Sequence, residues 1–113
     1  MNRHPSETDY RELYSGMIRL HVLHHACEGD IFGLEMIEEL SRHGYKMSPG
    51  MLYPLLHGLE SRGLLRSSVL KKGRSKRRVY RATAKGRKAL TAAKLKVREL
   101  FQELLEDTMR GAR

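Results

Sequence analysis

A single cysteine, Cys27, is present among 113 residues, so the chain cannot form an internal disulfide, and a reducing cytoplasm is the expected compartment. No apolar run approaches the roughly 18 residues that a membrane span requires. Met1 to Tyr10 is polar and lacks the apolar segment of a secretory signal, so a soluble cytoplasmic protein with no membrane partner is expected. Signatures of catalysis are missing as well. There is no glycine-rich phosphate loop after a strand, no nucleophile elbow and no carboxylate pair in a recognisable frame, and no enzyme is expected. The most informative absence is acid: between Ser61 and Arg98 there is neither Asp nor Glu.

That same stretch carries Arg62, Arg66, Lys71, Lys72, Arg74, Lys76, Arg77, Arg78 and Arg81, and continues through Lys85, Arg87, Lys88, Lys94, Lys96 and Arg98. The whole chain has a formal charge of +9. A basic excess of this size favours a polyanionic partner, either nucleic acid or an anionic surface. Its segregation from the acidic residues makes one region strongly electropositive, which a solvated mixed-charge surface does not need.

Hydrophobic periodicity gives the order of elements. Asp9 to Cys27 places Tyr10, Leu13, Tyr14, Met17, Ile18, Leu20, Val22 and Leu23 at helical spacing, after a loose Met1 to Thr8. Glu28-Gly29-Asp30 ends this helix. In a second, short helix, Leu34, Ile37 and Leu40 form the inner face and Glu35, Glu38 and Glu39 the outer one, with Gly44 as an αL cap. Ser48-Pro49 reads as an N-cap followed by proline at the first helical position. Leu52, Leu55, Leu56 and Leu59 then stripe a third helix, which Pro54 should distort near its first turn and Gly63 ends. Leu64–Leu70 and Arg77–Thr83 read as strands of a hairpin joined by Lys71 to Lys76, and Thr83 caps a last helix running to about Met109.

Three helices, a hairpin and a helix make a mainly α fold of the winged helix-turn-helix type. A DNA-binding unit (residues 1–83) is expected to continue into a C-terminal dimerisation helix (84–113) of the same compact body. In this arrangement the third helix enters the major groove. With its leucines inward, Ser48, Gly50, Met51, Tyr53 and His57 are left for DNA, although Tyr53 also suits a half-buried core position. Lys71, Lys72, Arg74, Lys76, Arg77 and Arg78 crowd the hairpin with no acid to pair them, which suits phosphates or a narrow minor groove.

The segment from Lys46 through Ser48-Pro49, Leu52-Tyr53, Leu55-Leu56 and Leu59-Glu60 to Gly63-Leu64-Leu65 resembles the recognition-helix signature of the PadR family of bacterial regulators. Gly73-Arg74, followed by Arg77-Arg78-Val79-Tyr80-Arg81-Ala82-Thr83-Ala84-Lys85-Gly86, is similar to that family's wing and its Tyr-x-x-Thr-x-x-Gly lead into the last helix. The likeness covers most of Met17 to Leu90 and implies a repressor of a palindromic operator. Having one helix after the wing resembles the family's short subgroup, in which that helix builds the dimer. Some relatives stack flat aromatic ligands on tryptophan, a residue this chain lacks.

Independently of that resemblance, Leu90, Ala93, Val97, Leu100 and Leu104 step by three and four along the last helix, with Phe101 and Leu105 beside them, as a dimer seam would. His21, His24, His25 and Cys27 share helical faces at spacings that present two ligands to a divalent metal, with Glu99 or Glu103 as further donors, although partly buried histidines would satisfy the same pattern. No cofactor is required. A small aromatic or cationic effector held by Tyr10, Tyr14, Met17 and Phe101 is the other regulatory reading. Two different functions fit less of the pattern: a sequence-tolerant architectural nucleic-acid binder, and a protein-interaction module built on the last helix.

Overall fold

The helix expected from Asp9 begins earlier. In the computed structural model, which describes residues 3–110, α1 spans Glu7–Glu28. Ser6 and Asp9 form a reciprocal capping box: the Ser6 hydroxyl accepts from the Asp9 amide at 3.1 Å, and the Asp9 carboxylate accepts from the Ser6 amide at 2.8 Å. Of the segment expected to be loose, Ser6 is thus the cap of α1 and Glu7 and Thr8 belong to its first turn, while Met1 and Asn2 lie outside the described residues.

The remaining elements are β1 (Ile31–Phe32), α2 (Gly33–Arg42), α3 (Pro49–Ser61), β2 (Leu65–Lys72), β3 (Ser75–Ala82) and α4 (Ala84–Arg110). The hairpin is longer than expected, because Lys71, Lys72, Ser75 and Lys76 are all strand residues. Only Gly73-Arg74 turns, and Gly73 adopts φ 63° at the first turn position, where glycine is favoured in two-residue hairpins. The two-residue β1 pairs with β3, giving a three-stranded antiparallel sheet in the order β1-β3-β2.

Val22 of α1, Leu40 of α2, Leu52 and Leu56 of α3, and Leu65 and Tyr80 of the sheet are fully buried together. The inner face of α2 is Gly33, Met36 and Leu40. Leu34, expected inside, is exposed, because α2 packs on α3 with Gly33 under the Tyr53 ring, which turns the Gly33–Met36–Leu40 face inward. Gly44, at φ 88°, closes α2 as anticipated: its amide bonds to Ser41 O at 2.9 Å and the Tyr45 amide to Leu40 O at 2.9 Å, the Schellman arrangement. Helix α3 runs through Pro54 without interruption. The carbonyl that has no donor there belongs to Gly50, an exposed first-turn residue that water can reach.

Helix α4 is fastened at its first turn. The Thr83 hydroxyl accepts from the Gly86 amide at 3.0 Å and donates to Gly63 O, while the Thr83 amide bonds to Leu64 O at 3.1 Å. This brings the α3–β2 junction against buried Gly86, where an added Cβ would collide with the Leu64 carbonyl oxygen and lie 3.1 Å from its carbon. Helix propensity alone would make Gly86→Ala stabilising by ~1 kcal/mol. Because the obstructing atoms are backbone, overpacking prevails, and a net loss of about 1–3 kcal/mol is expected in chemical denaturation. A stabilised variant would show that the two segments separate readily.

Candidate nucleic-acid interface

On α3, Leu52, Leu56 and Leu59 face the core, so the opposite side consists of Gly50, Pro54, His57 and Ser61, all exposed. Ser48 is exposed at the N-cap and makes no side-chain capping bond, which leaves its hydroxyl available. Gly50 and His57 are where expected. Met51 lies on one flank, half-buried, and lines a shallow pocket together with Met47 and with Arg11 and Arg19 of α1. Tyr53 lies on the other flank, its ring covering Gly33 so closely that a Cβ there would overlap the ring. Tyr53 thus has the half-buried position that was the alternative to a DNA contact. Pro54 and Ser61 are missing from the set that the sequence suggests: periodicity treats proline only as a helix breaker, and Ser61 falls in the last turn.

The hairpin stands beside this face. Lys71, Lys72, Arg74 and Lys76 are exposed, and Lys71 lies opposite Lys76 in the ladder. Alternation along the strands places Lys71, Lys76 and Arg78 on the sheet face shared with buried Tyr80 and Ala82. Arg77 projects from the opposite face. Its guanidinium lies 3.9 Å from the Phe32 ring centroid and 3.4 Å from Glu35, so the expectation that this run lacks acidic partners is corrected at Arg77. Farther along the same face, Arg81 pairs with Asp30. Both acids come from the β1–α2 segment, which the third strand brings alongside β3.

A polar junction fixes the hairpin against α3. The Glu60 carboxylate accepts from the Ser67 hydroxyl and, at 3.1 Å, from the Ser67 amide, while Arg78 donates to the Ser67 hydroxyl oxygen at 3.1 Å. The Ser67 hydroxyl bond is the main cause of a Glu60 pKa below the ordinary carboxylate value; the Ser67 amide and Arg78 add to it, against the opposing effect of burial. Glu60 therefore stays charged and holds the wing at a set angle to the helix.

The expected dimer seam divides. Leu90 is 7 % exposed and belongs to the core of its own chain, so it is not free for a partner as expected, whereas Ala93 is only half-buried. Val97, Leu100, Phe101, Leu104 and Leu105 continue that face beyond the core and are exposed. The molecule measures 61 × 36 × 23 Å with a radius of gyration of 16.7 Å. A compact chain of this length would have about 13 Å. The last three residues of the expected 84–113 unit lie outside the described residues.

The four residues assigned to an effector do not share a cavity. Tyr10 and Tyr14 line one of about 530 Å³ with Tyr45, Arg11 and Lys46. Met17 lines another, between α1 and α4, of about 380 Å³ with Leu20, His24 and Val97, and Phe101 lines neither. The histidines also regroup. His21 and His25 meet His43 from the C-terminus of α2, whereas His24 turns to Glu28 at 3.4 Å. His24, Cys27, Glu99 and Glu103 are outside the cluster. No helix among the described residues is long and apolar enough to cross a membrane.

Residues 22–92 match the model of the transcriptional regulator PadR-like family. The chain is 50% identical over 95 residues to "Transcriptional regulator Rv3488" of Mycobacterium tuberculosis, covering 84% of this chain and 89% of that one. Among solved structures it resembles a PadR family transcriptional regulator from Eggerthella lenta, with a TM-score of 0.73, 30% identity and 84% of each chain covered. A PadR-like regulator from Bacillus cereus shares the fold, with a TM-score of 0.71, 22% identity, and coverage of 88% of this chain and 94% of that one.

Proposed function

Because the chain belongs to the transcriptional regulator PadR-like family, we propose that it binds double-stranded DNA as a homodimer and represses transcription from a palindromic operator in the cytoplasm. One observation carries this reading. The exposed face of α3 adjoins an acid-free wing whose Lys71, Lys72, Arg74 and Lys76 are all unburied. Helix α3 contains no Lys or Arg, so His57, Ser61 and close backbone approach at Gly50 read the major groove while the wing neutralises phosphate.

Two copies join through Val97, Leu100, Phe101 and Leu104 of α4, against the exposed apolar stripe Tyr10, Leu13 and Met17 on α1. This sets two recognition helices about one DNA turn, ~34 Å, apart. A small aromatic effector fits the tyrosine-lined cavity between α1 and the α2–α3 connection. It controls release only insofar as it binds the DNA-competent and DNA-incompetent forms unequally.

The test is a salt-titrated fluorescence-anisotropy measurement on DNA from the protein's own upstream region, against a scrambled duplex of equal length. A preference of about a hundredfold, worth ~2.7 kcal/mol, is expected for the native duplex. Equal, salt-sensitive binding to both would support an architectural nucleic-acid binder instead. No binding to either at low salt would leave α4 as a protein-interaction helix and end the DNA reading.

A further inference from the structure

His21 and His25 are one helical turn apart on α1 and present their imidazoles on one side. His43, the C-cap residue of α2, completes the group: one ring nitrogen from each of the three histidines lies within 4.8 Å of the others. The position of His43 is built rather than incidental, since the Schellman closure at Gly44 and Tyr45 fixes the backbone on its C-terminal side. Two further contacts hold the cluster. The His21 ring stacks on His43 at 4.6 Å and meets Tyr45 edge-on at 5.4 Å. A carboxylate is at hand as well: Glu39 lies 3.6 Å from His25 Nε2 and is itself held by Arg42 at 2.9 Å.

We propose that His21, His25 and His43 form a binding site for a divalent transition-metal ion of the Zn²⁺ class, joining α1 to the C-terminus of α2. Imidazole nitrogen is the donor that Zn²⁺, Co²⁺, Ni²⁺ and Cu²⁺ share, whereas Mg²⁺ and Ca²⁺ demand oxygen. Nitrogens around tetrahedral Zn²⁺ are about 3.3 Å apart, given bonds of ~2.0–2.1 Å. The three donors, now within 4.8 Å of one another, have to draw closer to reach that spacing, and exposed His43 has the most room to turn. Glu39 places negative charge beside the bound cation.

The position also gives the site a regulatory consequence, which rests on the DNA-binding reading. His21 borders the cavity between α1 and α4, while α2 packs directly on α3. An ion that clamps α1 to α2 therefore couples the dimer face to the recognition helix. Metal occupancy then favours one spacing of the two recognition helices over others.

Titration of the purified full-length protein with Co²⁺, followed by its visible d–d absorption, tests the site without reference to DNA. One ion per chain is expected, displaced by Zn²⁺. His43→Asn, at an exposed C-cap position whose φ of −94° suits any residue, should weaken binding at least about tenfold. His25→Ala should do the same, and His24→Asn should leave binding unchanged. No stoichiometric binding, or full affinity in both His43→Asn and His25→Ala, would overturn the site. The anisotropy assay repeated with saturating Zn²⁺ should then show an operator affinity that changes in the native protein and not in His43→Asn. Unaltered affinity in a protein that does bind Co²⁺ would overturn the coupling alone.

Discussion

Leu100→Glu is expected to convert the protein to a monomer and to lower its operator affinity by at least about a hundredfold, because engagement of the second half-site ceases to be intramolecular. Twenty-seven residues of α4 extend ~40 Å at about 1.5 Å per residue, beyond the body that anchors its first turns. The face carrying Leu90 is buried in the chain's own core, and the same face continues outward as Val97, Leu100, Phe101 and Leu104. Leu100 is 56% exposed in the single chain. In a symmetric pairing, glutamate there places two like charges in a desolvated seam. Leu95→Glu serves as the control, since Leu95 is 66% exposed on the opposite side of the same helix. Sedimentation velocity at micromolar concentration should give monomer for Leu100→Glu and dimer for Leu95→Glu. A Leu100→Glu dimer would move the interface elsewhere, onto Leu13 and Met17 of α1 alone.

The order of helices and strands is legible in the sequence because each long element carries an unambiguous period: the leucines of α3 and the alternation in Val79-Tyr80-Arg81 admit few other readings. What escapes depends on packing between elements. Two residues of β1 have no period, and they form a strand only because β3 offers a free edge. Leu34 resembles a core residue because helical spacing fixes which residues share a face but not which face turns inward; packing against α3 decides that. Ser6-x-x-Asp9 is a local signal, a short-acid version of the capping box, and is readable without the fold.

The candidate interface divides along the same line. The wing charges are readable as composition, whereas the partners of Arg77 and Arg81 lie 42 and 51 residues earlier, at Glu35 and Asp30. The metal spacing His21/His25 is visible on one helix, but its third member comes from the end of another, and no spacing rule connects residue 21 to residue 43. Periodicity is continuous across Leu90, Val97 and Leu104, so by itself it assigns Leu90 to the dimer seam. Nothing local marks where a helix leaves its own core.

Removing two wing charges, Arg74→Ala with Lys76→Ala, is expected to weaken binding to every duplex and to flatten its salt dependence. Arg74 occupies the hairpin turn and Lys76 the neighbouring strand position, both exposed and neither joined to an acid by an ion pair among the described residues. Each phosphate that the wing ceases to neutralise takes about 0.9 off the slope of log K against log salt. It also costs close to tenfold in affinity at ~0.1 M salt by the same relation. In a dimer the substitution frees up to four phosphates, so a weakening of about 4,000-fold is the upper bound. The native-to-scrambled ratio should change little, because binding to phosphate positions the protein without distinguishing sequence. Arg77→Ala makes the informative contrast. Its guanidinium is already engaged by Phe32 and Glu35, so its effect on the slope should be much smaller. A double variant with an unchanged slope would remove the wing from the phosphate backbone, and if its specificity ratio also collapsed, the wing would be reading bases in the minor groove instead.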